Sequence, residues 1–153
     1  MDKYTTYMKL ALQEAIKAKE EGEVPIGAVL VFEDKVLARG FNQSIINNDP
    51  TAHAEIVCLR KASKVLNNYR LNDCSLYVTL EPCPMCAGAL VHSRVAKIIY
   101  GARDYKMGSC GTVFSIAHNE KLNHRIEIVD GVMEKESREI LQDFFKDRRL
   151  GVI

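Results

Sequence analysis

Two short segments hold the residue types that reactive chemistry needs: His53-Ala54-Glu55 and Pro82-Cys83-Pro84-Met85-Cys86. Cysteines three apart in the first turn of a helix point the same way, and the positive end of the helix dipole there favours the thiolate, a ligand for a borderline-soft cation. One nitrogen from His53 and two sulfurs from Cys83 and Cys86 make a set that suits zinc. Three protein ligands leave the fourth tetrahedral position to water, which is the pattern of a catalytic site and not of a closed structural one. Glu55 follows His53 by two residues. Inside a helix the two side chains would point apart, but in a first turn both reach past the helix end toward one metal. A carboxylate beside an acidified water is a base: it takes the water's proton, hands it to a ring nitrogen and later protonates a leaving amine. That order of proton transfers is hydrolytic deamination.

Simpler readings compete. A lone Cys-x-x-Cys is often half of a structural metal site or a redox pair. A closed zinc site would need a fourth ligand from Cys58, Cys74, Cys110, His92, His118 or His124, and none of these has a paired spacing. Cys58 lies one turn after Ala54 in a stretch rich in Ala, Val and Leu and reads as a small core residue; Cys74 and Cys110 read as core or loop thiols. A redox role for Cys83 and Cys86 leaves His53-Ala54-Glu55 unexplained.

The rest of the chain must position these groups. Tyr4, Met8, Ala11, Leu12, Ala15 and Ile16 recur at helical spacing, and Gly22 follows as a stop. Ile26 to Phe32 and Val36 to Phe41 are strand-like runs whose short connection, Glu33-Asp34-Lys35, predicts an antiparallel hairpin. Asn42 to Pro50 is a polar loop ending in capping residues, and the pattern predicts a helix over Ala52 to Leu66. Leu76 to Leu80 reads as a strand, Pro84 to His92 as a helix with Pro in its first turn, and Lys97 to Tyr100 as a strand, which together suggest a right-handed parallel crossover. A Gly-rich loop runs from Gly101 to Gly111. A short helix near Val113 to Ala117, a strand at Ile126 to Val129 and a last helix from Met133 to Arg149 complete the expectation. The sum is an α/β chain, a mixed five-stranded sheet with helices on both faces.

At 153 residues, 47% of them apolar, the chain has the size of one domain with one core, and residues 1–153 are expected to form it. The longest apolar runs are strand-length, so no membrane association is expected. The first residues lack the pattern of a secretion signal. Five cysteines, an odd number, argue against a disulfide framework and fit a cytoplasmic setting. A net charge of +1 gives little long-range pull on nucleic acid, so a polyanion would have to meet a local basic patch.

The two motifs match the signature of zinc nucleobase deaminases, a match to a pattern already described for that superfamily. Further segments extend it: Glu23-Val24-Pro25-Ile26-Gly27-Ala28, Asp49-Pro50-Thr51-Ala52-His53-Ala54-Glu55, Tyr77-Val78-Thr79-Leu80-Glu81-Pro82-Cys83, Gly101-Ala102-Arg103-Asp104 and Asn123-His124-Arg125. Nearly end to end, the chain resembles the bacterial tRNA-specific adenosine deaminases. The resemblance implies a three-layer α/β/α cytidine-deaminase-like fold, a homodimer, one zinc ion per subunit and conversion of adenosine to inosine at the wobble position of a tRNA anticodon. By position it implies His53, Cys83 and Cys86 as zinc ligands and Glu55 as proton shuttle. It also implies Asn42 and the backbone of Ala54 as partners of the flipped base, and Val24, Pro25 and Ile26 as an apolar wall of its pocket. Asp104 and Lys106 match positions that approach the anticodon nucleotides, with Arg103 near a phosphate, although charged loop residues are usually only solvated.

The last helix carries Phe144, Phe145, Lys146, Arg148 and Arg149; one Phe reads as core, and the arginines, Arg149 above all, as RNA contacts. Asn123 and His124 read equally as turn-stabilising residues or substrate contacts. Tyr105, Met107, Ser109, Cys110 and Thr112 depart from the smaller residues or Ser usual in the family's loop. Deamination of a free base, guanine or cytosine, is the competing enzyme reading, since those families share both zinc motifs. A silent, zinc-stabilised RNA-binding module is the reading without catalysis, and it would have no use for Glu55.

Overall fold

The structure, a computed structural model, describes residues 2–151. Helix α1 (Lys3–Glu20) opens on Asp2, whose side chain accepts the N–H of Thr5, and buries Met8, Ala11, Ala15 and Ala18 along one stripe. Strands β1 (Gly27–Phe32) and β2 (Lys35–Phe41) form an antiparallel hairpin. Glu33 and Asp34 between them take φ of 50° and 60°, the paired positive angles that match a two-residue turn to the twist of its strands.

On its other side β1 pairs antiparallel with β3 (Ser75–Leu80), which runs parallel to β4 (Lys97–Ala102), and β4 runs parallel to β5 (Glu127–Val129). The sheet order is β2-β1-β3-β4-β5. Helices α2 (Ala54–Leu66), α3 (Pro84–His92) and α4 (Glu134–Arg149) complete the elements. The period of two along each strand sorts the side chains into layers. Leu30, Leu76, Val78 and Ile98 meet Cys58, Leu59 and Ala62 of α2 and Ala87 and Leu90 of α3. Val29, Val31, Tyr77 and Ile99 point the other way, onto Met8 and Ala11 of α1. Helix α4 covers β4 beside α1, with Ser137 seated over Gly101. The result is the expected α/β/α sandwich.

Two expectations need correction. Helix α2 begins at Ala54, not Ala52, because the preceding turn spends its donors locally: the Asp49 side chain accepts the N–H and hydroxyl of Thr51, and the Asp49 carbonyl accepts the N–H of Ala52. Residues 113–117 form no helix. Gly111, at φ +121°, turns the chain so that Cys110 bridges to Ser115, and the Gly111 N–H reaches the Phe114 carbonyl at 2.9 Å. The apolar run Val113-Phe114 resembled a helix face; here it is a loop, with both side chains largely exposed. No helix among the described residues is long and apolar enough to cross a membrane.

Candidate metal centre and active site

His53 and Cys83 occupy equivalent places, each the N-cap of a helix on the same face of the sheet. Both have extended backbone (φ −72°, ψ 156° and φ −76°, ψ 174°), and neither side chain caps its own helix. N-caps are normally Ser, Thr, Asp or Asn, which bond back to the first turn. A His and a Cys free of that duty turn toward each other: Nδ1 of His53 lies 3.6 Å from Sγ of Cys83 and 3.5 Å from Sγ of Cys86. The three ligand atoms fall within 4.8 Å of one another, and among the described residues this is the one such group that could hold a metal ion. Proline at the first position of α3 costs no hydrogen bond there and fixes the turn that carries Cys86 round to the same side.

The helix placement also resolves the spacing of His53 and Glu55. With His53 outside the helix and Glu55 in its first turn, the two do not have to diverge. Glu55 is 4% exposed. Burial pushes its carboxyl up to about 7, against a smaller downward pull from its hydrogen bonds and from His53. Cys83 is drawn down to about 4, chiefly by the hydrogen bond from Cys86, whose own thiol is pushed upward by the same bond. His53 is raised by its bond to Cys83. The cluster therefore crowds groups whose charges are kept apart by retained protons, and a divalent cation would take the place of those protons. The donor set and the charge balance fit a metal ion.

Two loops frame the cluster. Asn42, buried at the end of β2, accepts the N–H of Ala54 at 2.8 Å through Oδ1, which supplies the cap that His53 does not. That leaves the Nδ2 amide as the Asn42 donor group. Asn42 and Ala54 are thus brought together as a bonded pair. Gly40, two residues earlier, lets α2 approach: a Cβ there would lie 2.8 Å from the Ala54 carbonyl oxygen. Pro25 is buried and Val24 half-buried just ahead of β1, where the N–H of Gly27 bonds the buried Thr79 hydroxyl at 3.2 Å.

Buried carboxyls hold both loops, and sequence reasoning gave them no role. Glu23 accepts the N–H groups of Ile45 (3.2 Å) and Ile46 (2.7 Å), and Glu81 gathers the loop after β4. Their signal was a charged residue beside an apolar run, Glu23 before Val24-Pro25-Ile26 and β1, and Glu81 directly after β3. Asp104 turns its side chain onto the N–H groups of Lys106 (3.0 Å) and Met107 (3.1 Å). Lys106, Phe145, Arg148 and Arg149 line one open hollow of about 470 Å³, so Lys106 and Arg149 face the same space. Arg103 is paired with Asp130. Phe144 is fully buried and Phe145 is 42% exposed. His124 bonds the Val95 carbonyl through Nε2 at 2.7 Å, a contact that ties its loop to the start of β4. Cys58, Cys74 and Cys110 are buried and free, as expected of core thiols. A wider hollow of about 760 Å³ around Leu59, Lys64 and Tyr69 contains no residue of the cluster; chemistry, not concavity, marks the site.

A mixed five-stranded sheet between two helical layers, with a His/Cys/Cys cluster at two helix starts, is a deaminase of the cytidine-deaminase-like fold. The model of the MafB19-like deaminase family matches residues 1–149. The chain is 48% identical over 143 residues to a tRNA-specific adenosine deaminase of Haemophilus influenzae, covering 93% of this chain and 83% of the relative. It is 49% identical over 143 residues to one of Bacillus subtilis, covering 94% of this chain and 89% of that relative. A solved structure from a study of A-to-I editing by tRNA:A34 deaminases at the wobble position of transfer RNA superposes with a TM-score of 0.83. It shares 46% identity, over 90% of this chain and 99% of that one. The chain belongs to the tRNA-specific adenosine deaminase family.

Proposed function

We propose that this protein hydrolyses adenosine to inosine at the wobble position of a tRNA anticodon, with His53, Cys83 and Cys86 holding one zinc ion per subunit and Glu55 moving the protons. The observation that carries the chemistry is the meeting of three metal donors with a buried, protonatable carboxyl at two helix N-termini. When bound, zinc supplies Lewis-acid activation that makes water nucleophilic near neutral pH. Glu55 accepts the proton of the water that attacks C6 and delivers it to N1. It then takes the remaining hydroxyl proton to the exocyclic amine. The C6–N bond breaks, ammonia leaves and the carbonyl of inosine remains, so one water is consumed for each ammonia released. In the metal-free protein burial raises this carboxyl to about 7, so it holds a proton more readily than an exposed glutamate does.

The remaining site residues bind and orient. Asn42 and the backbone of Ala54 hold the edge of the extruded base, and Val24 and Pro25 wall its face. Asp104, Lys106 and Arg149 receive the flanking nucleotides. An anticodon loop is already unpaired, so extruding its base costs less than breaking a duplex. A local group of cations at one hollow, Lys106, Arg148 and Arg149, suits a chain of net charge +1. Residues 1–153 act as one domain, and the working unit is a cytoplasmic homodimer, which light scattering should show.

The test is turnover of an anticodon stem-loop with a wobble adenosine, run beside free guanine, cytosine and adenosine, with inosine and ammonia measured. Inosine in the stem-loop is the expected product. Turnover confined to a free base would replace this reading with the free-base one.

A further inference from the structure

The loop between β4 and residue 112 hangs on one side chain. Glu81, 1% exposed, takes four hydrogen bonds from it. Oε1 accepts the Asp104 N–H (3.1 Å) and the Thr112 hydroxyl; Oε2 accepts the N–H groups of Cys110 (2.9 Å) and Thr112 (3.2 Å). Among the described residues no Lys or Arg forms an ion pair with it. The loop wraps so closely that a Cβ on Gly108 would lie 2.5 Å from the Glu81 Cδ and 2.4 Å from the Asp104 carbonyl oxygen. A second tether runs from the Ser109 N–H to the Pro82 carbonyl at 2.9 Å. Exposure follows the anchoring: Gly108, Ser109 and Cys110 are buried, whereas Tyr105 is 76% exposed and Met107 47%, with Lys106 exposed between them.

A buried carboxyl is a costly way to hold a surface loop. Its desolvation must be offset bond by bond, and apolar packing of the same volume stabilises without that penalty. What four converging acceptor bonds add is a fixed position. Glu81 stands two residues before Cys83, so the loop's root is tied to the segment that carries the metal donors, and its tip is held at a set distance from them. The tip offers an aromatic ring and a cation, the pair that stacks on an unpaired base and meets its phosphate.

We infer that Glu81 is a positioning residue for the RNA substrate: it holds Tyr105 and Lys106 in place, Lys106 at the hollow it shares with Arg148 and Arg149, so that Tyr105 stacks on an unpaired nucleotide beside the reacting adenosine. This rests on the RNA-deaminase reading above. Glu81→Gln keeps the volume but turns an NH₂ group toward N–H donors and leaves at least one of them unpaired.

Steady-state kinetics on the anticodon stem-loop should show KM raised about tenfold in Glu81→Gln with kcat within about twofold, at unchanged metal content per chain. Mere loss of folded protein would lower kcat at constant KM. Thr112→Val, which removes only the hydroxyl donor, should raise KM less. Tyr105→Ala should raise it as well, and the double variant Glu81→Gln/Tyr105→Ala no further than the larger single change, because one acts through the other. If Glu81→Gln does not fold, Thr112→Val decides. Unchanged KM in the folded variants, or fully additive effects in the double variant, overturns the inference alone while wild-type protein still edits the stem-loop. Failure of the wild type to edit removes the proposed function and this inference together.

Discussion

Glu55 is the residue on which the proposed chemistry turns, and its environment makes separable predictions. Glu55→Gln keeps the shape and the metal donors but cannot exchange a proton, so kcat should fall about 10²- to 10⁴-fold with metal content retained. Cys83→Ala removes a donor and should lose metal and activity together. Metal analysis beside the activity assay separates the two; an active Glu55→Gln protein refutes the shuttle. Burial raises the Glu55 carboxyl from 4.5 to about 7, so the metal-free folded protein binds this proton more tightly than the unfolded chain does. Folding takes up a proton in that window, and the group's contribution is largest below about 4.5 and lost as pH rises through about 7. Urea denaturation of the metal-free proteins should therefore show Glu55→Gln gaining on wild type as pH climbs across that range. A constant difference would refute the assignment.

Among the elements, the helices and strands that place these residues were legible in the sequence because each advertises itself by period: Met8, Ala11 and Ala15 for α1, the β-branched and aliphatic runs of β1, β3 and β4, Pro84 at the start of α3. The ligands were legible by type and spacing. What escaped was set by hydrogen bonds that have no period. The start of α2 depends on where Asp49 spends its acceptors, and the absent helix at 113–117 on the Gly111 turn that lets Cys110 bridge to Ser115. Glu23 and Glu81 were hidden because a lone Glu reads as a solvated charge. In the folded protein each accepts from a distant loop. Close packing gives a prediction at this level. A methyl group on Gly40 would sit 2.8 Å from the Ala54 carbonyl oxygen and 3.0 Å from the Cys58 nitrogen, both backbone. Gly40→Ala should therefore push the start of α2 away and cost about 1–3 kcal/mol, read by urea unfolding, with weakened metal retention because His53 moves with it. A variant as stable as wild type would show that α2 can shift freely.

For the whole molecule, the five cysteines divide by location. Burial pushes Cys58 up to about 12 and Cys74 to about 11, and Cys110 is also raised, so all three should resist alkylation at neutral pH until the protein unfolds. Cys83, drawn down to about 4, should react first in the metal-free protein and be shielded when metal is added. Mass spectrometry after brief iodoacetamide treatment reads this directly; prompt labelling of Cys58 would contradict the packed core. The sheet's outer strands carry a different lesson. An unpaired strand edge is a template on which other copies can polymerise. Here β5 has only three residues, and Glu127 on it is engaged by Lys97. On β2, Lys35 and Arg39 are exposed, and the Lys61 ammonium occupies the Arg39 carbonyl. Neither edge offers a second molecule a long, uncharged row of free backbone groups: β5 is short and β2 is charged, and both features disfavour edge-to-edge pairing between copies.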